Sequence, residues 1–123
     1  MTPTRLAVLW TVAILIACSI PGPALPETPQ LSLSFDKWVH VFMFLGFGGL
    51  WALAAPGRGW AVFAAGVAYA VGIELWQGAL PIERSPDPYD ALADVVGLAL
   101  GLGLAALVQR RRPSNDPGAG VSR

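Results

Sequence analysis

The sequence predicts an all-α, polytopic membrane protein that folds as a bundle of four transmembrane helices. Of its 123 residues, 54% are hydrophobic and 13% are charged, whereas about 25% of an ordinary soluble domain is charged. Four apolar stretches, each bounded by Pro, Gly or charged residues, approach the length of about 20 residues that crosses a bilayer. Their apolar side chains surround each predicted helix instead of forming one stripe, as lipid exposure requires.

The first predicted helix spans about residues 6–20 and is closed by Pro21. It is the shortest of the four, and it has a second interpretation. Arg5, the apolar stretch and the run Leu15-Ile16-Ala17-Cys18 also resemble a signal peptide with a lipid-modification site at Cys18. Under either interpretation, the chain after Pro21 emerges on the outer side of the membrane.

The other three helices are predicted at about residues 37–55, 60–80 and 89–108. With the first helix they form one membrane domain, residues 1–112. The last residues, 113–123, are rich in Pro, Gly and Ser and are predicted to be a disordered cytoplasmic tail.

Basic residues predict the orientation, because Lys and Arg near helix ends are retained on the cytoplasmic side. Six lie on the side of the termini and the middle loop: Arg5, Arg58, Arg110, Arg111, Arg112 and Arg123. Only two, Lys37 and Arg84, lie on the other side. We therefore expect a multi-pass protein of the bacterial cytoplasmic (inner) membrane with both termini in the cytoplasm.

Charge and motifs exclude several function classes. The net charge is zero, which gives no support to a nucleic-acid partner. One cysteine and one histidine are too few for an internal disulfide or a zinc cage. The chain lacks a glycine-rich phosphate loop and a Gly-x-Ser-x-Gly elbow. We expect no resident metal and no cofactor.

Polar residues inside the spans are the candidate site, because ionisable groups facing lipid are costly and usually turn inward. They occur near the outer ends of the last three predicted helices, with Arg84 on the loop above. The candidate binding residues are Asp36, Lys37, His40, Glu74, Gln77, Arg84, Asp90 and Asp94. Gln77, three residues after Glu74, is expected to support it. Together they predict a polar cluster beneath the outer headgroups.

Purely structural roles are open for part of this set. Asp36 suits a helix N-cap, while Asp90 and Asp94 would favour the positive end of a helix dipole. His40 would satisfy a bond to Glu74 or to a backbone carbonyl. Glu74 itself lies inside an apolar helix, where neither a cap nor a dipole calls for it.

Small residues predict close helix packing. Ala93, Gly97 and Gly101 recur every four residues in the fourth helix, as Gly66 and Ala70 do in the third. This spacing lets helix backbones approach one another in a membrane.

The same residues resemble the VanZ-like family of bacterial membrane proteins. The resemblance runs from Ile20 to Gly101 through Ile20-Pro21-Gly22, Leu25-Pro26, Asp36-Lys37-x-x-His40-x-Phe42, Ile73-Glu74-Leu75-x-Gln77, Pro81, Arg84-Ser85, Tyr89-Asp90-x-x-Ala93-Asp94-x-x-Gly97 and Gly101. It implies a four-helix architecture and a place in the cell envelope. The namesake is associated with low-level teicoplanin resistance, and no reaction follows from the resemblance. The family more often has Asn where this chain has Asp94.

Three function classes remain open. The favoured hypothesis is an envelope protein whose polar cluster binds a lipid headgroup, a cell-wall lipid intermediate or a partner protein, with anionic or polyprenyl lipids as candidate ligands. The alternative is a membrane-embedded hydrolase or transferase with Glu74 as base and His40, Asp90 and Asp94 as acids or metal ligands. An ion or proton conductor is the third, although no polar path continues through the inner half of the membrane. The sequence does not define the oligomeric state.

Overall fold

A computed structural model describes residues 2–20, 29–81 and 88–111, apart from the side chains of residues 29–36 and 111. Within these ranges the chain is entirely helical, without strands. Its helices are α1 (Pro3–Cys18), α2 (Pro29–Ala54), α3 (Gly59–Ala79) and α4 (Pro88–Arg111). The predicted all-α class is confirmed.

Helix α1 begins earlier than the hydrophobic stretch because its start is capped. The Thr2 hydroxyl accepts a 3.2 Å hydrogen bond from the Arg5 N–H, and Pro3 occupies the first helical position. Both are helix-start signals. The helix ends at Cys18, so its 16 residues span about 24 Å at the usual rise per residue. Whether the chain is cleaved before Cys18 stays a prediction.

Helix α2 begins at Pro29, well before the predicted start at Lys37. Hydropathy locates the stretch that lipid can cover, whereas helix formation continues through charged residues until a breaker intervenes. Proline is favoured in the first turn, where its missing N–H costs nothing. Asp36 therefore lies inside the helix, and the alternative that it caps the helix start is wrong.

The other boundaries agree with the sequence to within a few residues. A short turn joins α2 to α3, and Gly57 adopts φ 79° there, a left-handed conformation that glycine reaches without strain. Helix α4 continues to Arg111, where basic side chains suit the negative end of the helix dipole. The predicted tail, residues 113–123, lies outside the described residues.

Helices α1 and α3 run parallel to each other. The Tyr69 hydroxyl donates to the Thr11 carbonyl over 2.6 Å, and the Gln77 amide donates to the Cys18 carbonyl over 2.9 Å. Residues later in α1 thus pair with residues later in α3.

Helices α2 and α4 make the most extensive contact of any two helices described, and they are also parallel. His40 meets Asp94 toward one end of the pair, and the Gln109 amide donates to the Ala52 carbonyl over 3.3 Å at the other.

Helices α3 and α4 run in opposite directions. Gly66 of α3 lies against Leu98 of α4, whereas Glu74, later in α3, interacts with Asp94, which comes earlier in α4. Because α1 is parallel to α3, the start of α1 and the end of α4 lie at the same end of the bundle.

Glycines set the distance between α2 and α4, as their spacing predicts. A Cβ at Gly97 would overlap the Val41 carbonyl, and one at Gly101 would overlap the Leu45 carbonyl. These positions therefore require glycine for close backbone approach. Gly66 of α3 lies against the end of the Leu98 side chain, which can move more easily than a backbone carbonyl. Gly103, by contrast, faces open space.

The protein is a multi-pass membrane protein. In the part of the chain that the structure describes, α2, α3 and α4 each contain a stretch long and apolar enough to cross a membrane: Lys37–Ala54, Gly59–Ala79 and Pro88–Arg110. The fourth, α1, is apolar but shorter. All four helices contribute to one buried core, formed by Ile14, Cys18, Phe44, Phe47, Ala70, Ile73 and Leu98. The opposite face of α4 exposes Leu92, Leu100, Leu104 and Leu107, which suits contact with lipid.

Candidate functional site

Three helices bring ionisable side chains together at one end of the bundle. His40 on α2, Glu74 on α3, and Asp90 and Asp94 on α4 are all buried. With Lys37 they form what we call the polar cluster. It lies at the end opposite the start of α1, because α2 and α4 begin there and α3 ends there.

His40 is the centre of the polar cluster. Its Nδ1 lies 2.6 Å from Asp94 Oδ1, and its Nε2 lies 3.8 Å from Asp90 Oδ2. The imidazole is thus held between two carboxylates on successive turns of α4. Such a hydrogen bond fixes the orientation of the ring.

Lys37 forms the edge of the polar cluster. Its ammonium pairs with Asp90 Oδ1, and the two side chains are 27% and 11% exposed, whereas that of His40 is 3% exposed. Solvent or headgroups can therefore meet the cluster from the Lys37 and Asp90 side. His40 and Asp94 lie behind this edge.

Glu74 approaches the polar cluster from α3. Its side chain is buried, and its charge interacts with that of Asp94. Like charges in an apolar setting repel, so this arrangement requires a proton or a counter-charge nearby. Gln77, expected to support Glu74, instead donates its amide to the Cys18 carbonyl at the end of α1.

The fold explains why His40 reaches Asp94. Gly97, one turn after Asp94, lies against the Val41 carbonyl, so the two backbones are close at the level of the cluster. A short aspartate and a histidine then span the gap directly. The sequence places these residues at one depth, and it suggests Glu74 or a backbone carbonyl as the partner of His40. The structure shows that His40 binds Asp94.

The structure does not describe the side chains of two predicted site residues. Arg84 lies outside the described residues, and the side chain of Asp36 is likewise not described. Their roles stay predictions. The sequence did not predict that the C-terminal end of α1, with the Cys18 carbonyl, contacts Gln77 of α3. A glutamine inside an apolar helix was the available signal, since such an amide must find a partner.

The described residues contain no preformed metal site. Among residues 2–20, 29–81 and 88–111, no group of three or more His, Cys, Asp or Glu side chains is arranged to hold a metal ion. His40 and Asp94 bind each other, and Lys37 occupies Asp90. The hypothesis that Asp90 and Asp94 act as metal ligands therefore gains no support from their geometry.

Fold and site together define a small multi-pass helical membrane protein with a buried acid–histidine cluster at one end. The family model for VanZ/LLP1 matches residues 5–109, and the chain belongs to the VanZ/LLP1 family. No curated protein and no solved structure matches the chain. The resemblance seen in the sequence is thereby confirmed.

Proposed function

We propose that the polar cluster binds the polar group of a membrane lipid or of a lipid-linked cell-wall intermediate. The observation that supports this most is the buried His40–Asp94 hydrogen bond beside an accessible Lys37–Asp90 pair. A few convergent polar groups in an apolar setting are typical of a binding site. A bundle held together by packing alone would not need them, because apolar residues of similar size stabilise at least as well.

The proposed setting is the bacterial cytoplasmic membrane, with both termini in the cytoplasm and the polar cluster toward the outer leaflet. Support comes from the excess of arginines at the other end of the bundle, such as Arg5, Arg58 and Arg110. Cysteines placed singly at the two ends, after Cys18→Ala, would be labelled on intact cells with a membrane-impermeant maleimide. Labelling beside Tyr89 but not beside Arg110 is expected, and the reverse pattern would contradict this orientation.

The binding proposal is tested by native mass spectrometry of the full chain released from detergent. We expect a lipid adduct on the wild type that Asp90→Asn and Asp94→Asn each reduce at least about tenfold, since a hydrogen bond to a charged group contributes about that much affinity. Gln109→Leu is the control, because it removes a polar group from the opposite end of α4. Equal adducts in all four proteins would contradict the proposal.

Family membership supports a further proposal, a contribution to glycopeptide resistance. Expression of the chain in a susceptible host should raise the minimal inhibitory concentration of teicoplanin. Asp94→Asn, expressed to the same level, should separate an effect of the polar cluster from an effect of overexpression. An unchanged inhibitory concentration with the wild-type chain would contradict the link.

An enzymatic role is the second candidate, and the pairing of His40 with Asp94 favours it. A carboxylate that orients an imidazole is the arrangement used in general acid–base catalysis. In this alternative Glu74 or His40 accepts the proton in a membrane hydrolase or transferase. Glu74→Gln should then abolish turnover of a lipid-linked substrate while the protein stays folded. Full activity in that variant would exclude Glu74 as the base.

A further inference from the structure

The polar cluster is rich in carboxylates. Among its described members, Glu74, Asp90 and Asp94 are acidic, whereas Lys37 is its lysine and His40 its imidazole. Lys37 pairs with Asp90, and His40 binds one oxygen of Asp94. An anion entering such a group would add repulsion, whereas a cation would relieve it.

Asp94 presents an acceptor that no donor of the described residues meets. Its side chain is fully buried, and its Oδ2 atom has no hydrogen-bond partner in that part of the chain, although Oδ1 is bound to His40. An ionised carboxylate oxygen only accepts hydrogen bonds, so the matching group of a ligand is an N–H or O–H donor. The open acceptor is independent of the excess of carboxylates in the cluster. It also favours a ligand that donates from a cationic group over one that presents a phosphate.

The structure already contains an ammonium in this setting. Lys37 reaches over the cluster from α2 and places its ammonium on Asp90 Oδ1 at the accessible edge. A ligand ammonium would bind by exchanging with that of Lys37, whose flexible stem can swing away toward the headgroups. Lys37 would then be a competitor of the ligand and not a contact to it.

Exposed aromatic side chains lie at the same depth as the accessible edge of the cluster. Trp38 follows Lys37 in α2 and is 62% exposed, and Tyr89 precedes Asp90 in α4 and is 69% exposed. Both residue types favour the headgroup level of a bilayer, and their ring faces attract ammonium groups. A headgroup at this depth therefore meets aromatic rings as well as carboxylates, which suits an organic amine.

We infer that the ligand of the polar cluster is a lipid with an amine-bearing headgroup, as in phosphatidylethanolamine. Its ammonium takes the place of Lys37 on Asp90 and donates to Asp94 Oδ2. This inference rests on the proposed function, because it names the headgroup class for the same site. It differs from the expectation of an anionic lipid, which depended on Arg84.

The test is competition between two lipids that differ in headgroup charge. The detergent-purified full chain is delipidated and given equal amounts of phosphatidylethanolamine and phosphatidylglycerol with the same acyl chains, and adducts are counted by native mass spectrometry. We expect the ethanolamine lipid to prevail at least about tenfold, and Asp94→Asn to remove this preference. Gln109→Leu should keep it.

Lys37→Met gives the sharpest contrast. Methionine keeps the apolar stem and removes the ammonium, so the amine lipid should bind equally well or more tightly. If the cluster bound anionic lipid, the same change would weaken binding. A phosphatidylglycerol preference that Asp94→Asn or Lys37→Met reduces would overturn the inference and leave the proposed binding function standing. If the adducts of both lipids were the same in every cluster variant as in the wild type, both this inference and the proposed binding function would be overturned.

Free ethanolamine carries the same ammonium group without the acyl chains, so it is the remaining alternative ligand. Added to the lipid competition, it should not displace the bound lipid at concentrations comparable to that of the lipid, because the acyl chains add to the affinity. Displacement at such concentrations would assign the site to a soluble amine and would overturn the lipid as the source.

Discussion

The interface between α2 and α4 and the attachment of α1 are built in opposite ways. At the first, backbones touch: Gly97 and Gly101 lie against carbonyls of α2, and the buried His40–Asp94 pair bridges the same helices. Helix α1 instead is held by the tips of long side chains. Indole, phenol and amide groups of its neighbours bond to its backbone and hydroxyls, and its own Trp10 donates to the Met43 carbonyl over 2.7 Å.

This difference determines how each region responds to change. Where two backbones are in direct contact, no side chain can move to make room, so one added methyl group must displace a helix. Side-chain hydrogen bonds between membrane helices average about 0.6 kcal/mol each, and several of them share the attachment of α1. We therefore expect α2–α4 to be the rigid pair that holds the polar cluster, and α1 to tolerate the loss of single contacts.

The largest effect is expected from His40→Leu. It leaves the fully buried Asp94 without its imidazole partner, and removing one member of a buried pair costs about 3–5 kcal/mol. Unfolding of the purified protein by sodium dodecyl sulfate, followed by circular dichroism, measures the change. A loss under about 1 kcal/mol would show that the buried Asp94 carboxylate does not depend on its imidazole partner.

Gly97→Ala should have the next largest effect. The new Cβ meets the Val41 carbonyl, a backbone atom that moves only with its helix, so overpacking should cost about 1–3 kcal/mol or more. Gly103→Ala is the matched control on the same helix, because its Cβ meets nothing within 4 Å. Equal stabilities of the two variants would contradict the close approach of α2 and α4.

The smallest effect is expected from Tyr69→Phe, which probes the attachment of α1. The substitution removes the hydroxyl that donates to Thr11 and keeps the ring stacked on Phe47, with centroids 5.5 Å apart. We expect a loss of about 0.6 kcal/mol in the same unfolding assay. A loss as large as that of Gly97→Ala would remove the distinction between the two regions.

Sequence alone predicted the helices and the depth of the site, because both depend on local patterns. Uncharged stretches located the spans, and the spacing of Gly97 and Gly101 predicted close packing. The start of α2 at Pro29 was missed, since hydropathy reports what lipid covers and not where a helix begins. Asp36 was consequently misplaced as a helix cap.

Partners across helices could not be predicted, because they depend on which helices are neighbours and in which register. Small residues indicate that α4 packs tightly but not that α2 is its parallel partner. The pairing of His40 with Asp94, and of Gln77 with the end of α1, follows from that arrangement. Glu74 was identified correctly as buried, because its position in an apolar helix requires an inward direction.

We propose that the polar cluster serves a ligand and not the fold. The most direct test is the double variant His40→Leu with Asp94→Val, compared with the wild type for both folding stability and lipid adducts. Apolar residues of similar volume often replace a buried pair without loss of stability. We therefore expect a free energy of unfolding within about 1 kcal/mol of the wild type and no lipid adduct. A variant that unfolds, or one that folds and keeps the adduct, would contradict it.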